Sequence, residues 1–139
     1  MVFHLQLNLC LDALKLAITL CVSEADIYVI CQAVDKKIEE DLSKVYQGKK
    51  TKKIERGVAF PCSISLNHVV GHYSPVIDES SKIQSGDVVK IICGAHIDGY
   101  AGCAAYTFVA GSDKVTGRKA DVVLAAHHAM MAAERVIRD

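Results

Sequence analysis

Six cysteines and six histidines carry most of the side-chain chemistry open to this 139-residue sequence, and their spacing sorts that chemistry. The cysteines Cys10, Cys21, Cys31, Cys62, Cys93 and Cys103 include no C-x-x-C pair, so neither a zinc ribbon nor a dithiol redox centre is written locally. An even count also suits disulfides. Their wide spread and the absence of a secretory leader instead predict reduced core thiols in a cytosolic or nuclear protein. Cys93 or Cys103 with His72 or His96 would make a nucleophile and its base. Strand parity puts the two cysteines on opposite faces, and no helix N-terminus activates either, so buried structural thiols are expected. A zinc site from Cys103, His96 and His72 lacks a fourth ligand. His127 and His128 are adjacent on a helix, about 100° apart, and cannot chelate together.

KIICGAHIDGYAGCAAYTF (90–108) reads as two strands folded about Asp98-Gly99, the dipeptide of a tight two-residue hairpin. With Ile97 and Tyr100 flanking the turn, residues whose numbers sum to 197 face each other. Ile92 then opposes Ala105, and Gly94 opposes Cys103. Ile92 and Cys103 share one face as diagonal neighbours, roughly 7–8 Å apart between backbones. Long acidic side chains at two such points could converge on a pair of metal ions roughly 3.5–4 Å apart.

The elements that must hold this hairpin follow from pattern. Residues 3–11 alternate as a strand does, yet Leu7, Leu11, Leu14 and Ile18 also form a helical stripe; helix is favoured over about 7–20, with strand left open for this segment. Ser23 or Asp26 caps a second helix over about 26–45, whose charged end DKKIEEDLSK suits a solvated face. Short strands are expected at 62–66 and 69–73 with a bend at Asn67-His68, then a surface loop at 78–87. The hairpin occupies about 88–97 and 100–110, and a last helix about 119–138. That helix bears a stripe of small residues including Ala125, Ala126, Ala129, Ala132 and Ala133, which predicts close packing on the sheet. The order predicts an α+β architecture. RVIRD ends the sequence without a C-cap glycine, an ending expected of a fold that continues.

Formal net charge is zero and 51% of residues are hydrophobic, so any preference for nucleic acid must come from a local patch. Gln6, Asn8, Asp12 and Lys15 interrupt the apolar N-terminus, which argues against a spanning helix.

GVAFPCSISLNHVVGHYSP (57–75), SGDVVKIICGAHIDGYAGCAAYTFV (85–109) and VTGRKADVVLAAH (115–127) together resemble the N-terminal half of the methionine aminopeptidase, or pita-bread, superfamily. The resemblance is strongest to its proliferation-associated branch, growth-regulating proteins that bind ribosomes and lack peptidase activity. It implies half of a pita-bread fold, a single truncated aminopeptidase-like domain over 1–139. In active enzymes of the superfamily the hairpin supplies two aspartates as metal ligands, and these fall on Ile92 and Cys103. Isoleucine has no lone pair, and a lone thiol is a soft donor in a site that wants hard oxygen. His72, in NHVVGHYSP, matches the histidine that contacts the scissile peptide. A histidine alone cannot replace a metal-bound water, so it is expected as a buried residue hydrogen-bonded to backbone. The remaining ligands belong to the second half of the fold. The resemblance therefore implies no catalytic residue, no metal and no cofactor, with His72, Ile92 and Cys103 vestigial.

Lys49, Lys50, Lys52 and Lys53, with Arg56 behind them, form a basic run that reads either as a solvated connector or as an RNA contact. The resemblance favours ribosome or ribosomal RNA, with Arg118 and Lys119 as possible additions, and a cytoplasmic protein with access to the nucleus and nucleolus. Two other readings stand beside it: half of a metallo-aminopeptidase completed by a separate polypeptide, and a self-associating scaffold. In the last, a protein partner or second copy covers the exposed face of the half fold.

Overall fold

The chain runs α1 (Val2–Leu20), α2 (Ile27–Ser43), β1 (Arg56–Leu66), a 3-10 turn (Ile77–Glu79), β2 (Val88–Ile97), β3 (Tyr100–Val109) and α3 (Arg118–Val136) in the computed structural model, which describes residues 2–48, 54–112 and 114–137. The architecture is α+β, as the sequence predicts.

α1 settles the ambiguous N-terminus as helix. Cys10, Ala13, Leu14, Ala17 and Cys21 are buried at intervals of three and four, the period of one helix face. The helix begins earlier than expected because a buried polar side chain anchors its start. Gln6 donates from Nε2 to the carbonyls of Ile97 (3.3 Å) and Tyr100 (2.7 Å), either side of the hairpin turn. α2 starts where Asp26 accepts from the backbone N–H of Tyr28 (2.9 Å) and Val29 (3.3 Å). Ser80 donates to the same Asp26 oxygen at 2.6 Å, tying the loop before β2 to this helix start. Ile27, Ile30, Cys31, Val34, Ile38 and Leu42 form its buried stripe.

The sheet is antiparallel in the order β1-β2-β3. β2 and β3 pair from Val88↔Val109 to Ile97↔Tyr100 with every pair summing to 197, the register the Asp98-Gly99 turn dictates. β1 is longer than expected and irregular, with register shifts between Val58 and Phe60 and between Phe60 and Ser63. Pro61 lies in that irregular stretch, on an edge strand where a missing N–H is tolerated. The expected strand at 69–73 does not form. Asn67 and His72 both take positive φ (46° and 60°), which bends the chain out of extended geometry at both ends of the segment. Only Tyr73 rejoins the sheet: its carbonyl accepts from Ile64 N–H at 2.9 Å, and its own N–H donates to Ser65 Oγ at 3.2 Å.

One sheet face packs on α1 and α2 through Cys62, Ile64, Val89, Ile91, Cys93, Ala95 and Ile97, all buried. α1 crosses β3 so closely that a Cβ on Gly102 would lie 2.9 Å from Gln6 Cβ and 3.2 Å from the Leu7 nitrogen. Cys10 Sγ donates to the Gly102 carbonyl at 3.1 Å across this contact.

α3 departs from expectation. None of its described residues is buried, and the alanine stripe that was to pack on the sheet is exposed. The helix-facing side of the sheet is already filled by α1 and α2, and alanine offers little apolar area with which to bind elsewhere. Lys119 reaches back from the first turn of α3 to the Gly86 carbonyl.

Candidate functional site

The pleat of β2 separates two chemistries. Residues 89, 91, 93, 95 and 97 face the helices, while Lys90, Ile92 and His96 lie on the opposite, open face. Across the ladder Ile92 faces Ala105 on β3 and Ser63 on β1, and Lys90 faces Ser65. Ile92 and Cys103 therefore share the open face as diagonal neighbours, the arrangement derived from the turn.

The irregular segment after Asn67 folds over this face and leaves an open groove of about 370 Å³, whose walls include Ser63, Ser65, Val70, His72, Lys90 and Ile92. His72 and Ile92 are thus brought together; Cys103, one strand further out, is not among the groove's walls. His72 is exposed rather than buried, because its left-handed backbone turns it out of the strand path. Ser63, Ser65 and Lys90 are groove residues that sequence reasoning missed. Their signal was present: Ser63 and Ser65 alternate with Cys62 and Ile64 at the strand period. Ser65 Oγ accepts from Tyr73 N–H, whereas the buried Ser63 Oγ has no hydrogen-bond partner. Lys90 donates from Nζ to the Asn67 carbonyl at 2.9 Å, and desolvation holds its pKa below that of a free lysine. The Asn67 side chain is fixed by two bonds, accepting from Val88 N–H (3.0 Å) and donating to Asp87 (2.8 Å).

The cysteines divide sharply. Cys93 lies on the helix side, where burial pushes its thiol up to about 12; burial does the same to Cys21. Cys62 is raised by its hydrogen bond with Cys31 and by burial, and Cys10 by burial. These thiols are inert at neutral pH. Cys103, expected among the buried thiols, is exposed instead, because it lies on an outer strand and on the face turned away from α1 and α2. His96, diagonal to Cys103 on that face, has an unpartnered Nδ1.

A metal pair does not fit these residues. Among the described residues no group of three or more His, Cys, Asp or Glu side chains could hold a metal ion. At the two hairpin positions stand a hydrocarbon and a single thiol, and the groove wall beside Ile92 carries the ammonium of Lys90, which repels a cation.

Lys49, Lys50, Lys52 and Lys53 lie outside the described residues. Arg56, next to them in sequence, opens β1 and donates from Nη1 to the Tyr46 carbonyl at 3.4 Å. Arg118 and Lys119 are exposed at the start of α3.

A three-stranded antiparallel sheet backed by two helices, with a hairpin whose open face meets a histidine-bearing turn, defines a class. The profile of metallopeptidase family M24 matches residues 9–137, and the chain belongs to that family. It is 42% identical over 130 residues to Proliferation-associated protein A of Dictyostelium discoideum, covering 91% of this chain and 33% of that protein. It is likewise 42% identical over 130 residues to the Curved DNA-binding protein of Schizosaccharomyces pombe, covering 91% and 33%. The solved structure of a thermophilic Arx1 superposes with a TM-score of 0.80 at 32% identity, covering 92% of this chain and 35% of that one. The resemblance to the proliferation-associated branch is borne out, and the elements fit part of a pita-bread fold. The chain spans about a third of the length of these relatives.

Proposed function

We propose that this chain is a non-catalytic aminopeptidase-like factor that works by binding, contacting ribosomal RNA in growth and translation control. The observation that supports the non-catalytic part is the hairpin register, which puts Ile92 and Cys103 together on the open face; by the resemblance, active relatives carry metal-binding carboxylates at these two positions. The RNA part is supported by the run Lys49, Lys50, Lys52, Lys53 and Arg56, since lysines bind phosphates as point charges without reading sequence. The name of the fission-yeast relative, a DNA-binding protein, favours a nucleic-acid ligand of some kind. On this reading residues 1–139 act as one domain, in the cytoplasm with access to the nucleus. No described helix is long and apolar enough to cross a membrane.

Co-sedimentation with large ribosomal subunits over a salt series tests the RNA contact. Replacing Lys49, Lys50, Lys52 and Lys53 with alanine weakens binding and flattens the log–log salt slope by about 0.7–0.9 for each phosphate that is no longer neutralised. Unchanged co-sedimentation removes this run from the interface. Steady release of methionine from a short peptide by the purified chain with added Co²⁺ or Mn²⁺ overturns the non-catalytic part.

A further inference from the structure

The α1–α2 connection and the chain before β2 are locked to each other. Glu24 N–H donates to the Ile83 carbonyl (2.8 Å), Ile83 N–H to the Ala25 carbonyl (3.0 Å) and Ile27 N–H to the Ser81 carbonyl (3.1 Å). Asp26 and Lys82 pair between them as an isolated antiparallel bridge. The Ser80 hydroxyl, which donates to Asp26, also accepts from Tyr28 N–H at 3.0 Å, and the Tyr73 hydroxyl donates to the Glu79 carbonyl at 2.7 Å. These bonds hold the 3-10 turn beside the first turn of α2. So fixed, the corner presents aliphatic side chains to water: Val29 is 61% exposed, Val76 61% and Ile77 68%, with Val22, at the far end of the α1–α2 connection, 59%. A single exposed aliphatic residue is ordinary, but several on one hydrogen-bonded corner mark a surface that binds. The charge around them is acidic: Glu24, Asp26, Asp78 and Glu79 stand against Lys82, which already faces Glu24 at 4.0 Å. None of these residues belongs to β3, α3 or the open groove.

We propose that this corner docks a basic amphipathic segment of another protein. Aliphatic side chains of the segment rest on Val29, Val76 and Ile77, and its lysines or arginines face Glu24, Asp78 and Glu79. Charge complementarity selects that occupant. The acidic rim repels the phosphates of nucleic acid and of anionic lipid, and it repels its own image in a second copy. The apolar centre supplies affinity, while the rim charges supply on-rate and choice of partner. Because the two loops are bonded to each other before any partner arrives, little ordering entropy is lost on this side of the contact. The inference does not depend on the RNA contact, which uses basic residues elsewhere in the chain.

The probe is a fluorescein-labelled peptide of leucines and lysines at the spacing of an amphipathic helix. Fluorescence anisotropy against the 139-residue chain reads its affinity, and nitrogen–proton correlation spectra of the chain locate the contact. The expected result is saturable binding that weakens with salt, with amide shifts centred on residues 22–29 and 76–82. Val29→Ser combined with Ile77→Ser removes the apolar centre without changing charge. Both side chains are exposed, so the circular dichroism spectrum stays that of the parent, while binding weakens at least about tenfold. Asp78→Asn combined with Glu79→Gln also weakens binding and flattens its salt dependence. A peptide with glutamate in place of lysine does not bind. No saturable binding, shifts centred elsewhere, equal affinity for the serine variant or equal binding of the glutamate peptide overturns the proposal. Self-association of the chain that the serine variant abolishes assigns the corner to a second copy and overturns it too.

Discussion

Cys103 and Cys93 are ten residues apart on one hairpin, and the pleat alone gives them opposite fates. Cys103 is the one exposed cysteine among the described residues, and the others sit in the core with raised or shielded thiols. Brief treatment of the native chain with iodoacetamide is therefore expected to label Cys103, with the remaining five labelled only after denaturation. Peptide mass spectrometry showing a second fast thiol contradicts the assignment of faces. The phase of Ile92 and Cys103 was legible in sequence because an Asp-Gly turn leaves one register. The exposure of His72 was not, since it depends on a left-handed backbone that no side-chain pattern announces. A second prediction concerns acid. Asp26 is held below its ordinary value of 3.8 chiefly by the Ser80 hydroxyl, and Asp41 by its hydrogen bonds from Lys37 and Lys44. With folded values below unfolded ones, the stability they contribute is whole above 3.8 and is lost as pH falls through the lower folded values. Urea midpoints measured between about pH 5 and pH 2 should fall less steeply for Asp26→Asn, which keeps a cap but cannot titrate.

Elements meet most tightly where α1 crosses β3 at Gly102. Gln6 Cβ and backbone atoms of Gln6 and Leu7, not a yielding side-chain tip, stand where a methyl group would go. Gly102→Ala should cost about 1–3 kcal/mol in chemical denaturation, and a cost near zero would mean that α1 lifts off freely. At the other extreme, α3 buries none of its described residues. Segments without buried apolar contacts open locally at low free energy. Hydrogen exchange should therefore strip α3 amides well before those of α2 and β2, and equal protection would mean that a partner or second copy holds the helix in solution. This contrast explains which elements could be read. α2 declared itself through its cap and its charged end, and the hairpin through its turn. The alanine stripe of α3 misled, because small residues signal that a helix can be approached closely but not that any surface approaches it.

At the scale of the whole molecule, neutrality and family membership set different expectations for divalent metal. A metallopeptidase fold invites a cation, yet Ile92 and Cys103 on the open face of the hairpin supply no oxygen donor, and Lys90 stands beside Ile92. A ligand that binds only the native state stabilises it by RT ln(1 + [L]/Kd), about 2.7 kcal/mol when present at a hundredfold excess over Kd. Such a gain would lift the melting temperature of a chain of this size by several degrees. Thermal melts in Mn²⁺ or Co²⁺ should instead coincide with melts in EDTA, because no described cluster can repay the dehydration of a hard cation. The choice of metal matters. Zinc would also bind the cysteines of the unfolded chain and depress stability, hiding the result, whereas Mn²⁺ prefers the oxygen ligands in question. A saturable rise in melting temperature with Mn²⁺, abolished by Cys103→Ala, would show that the hairpin still holds metal and would reopen catalysis as this chain's work.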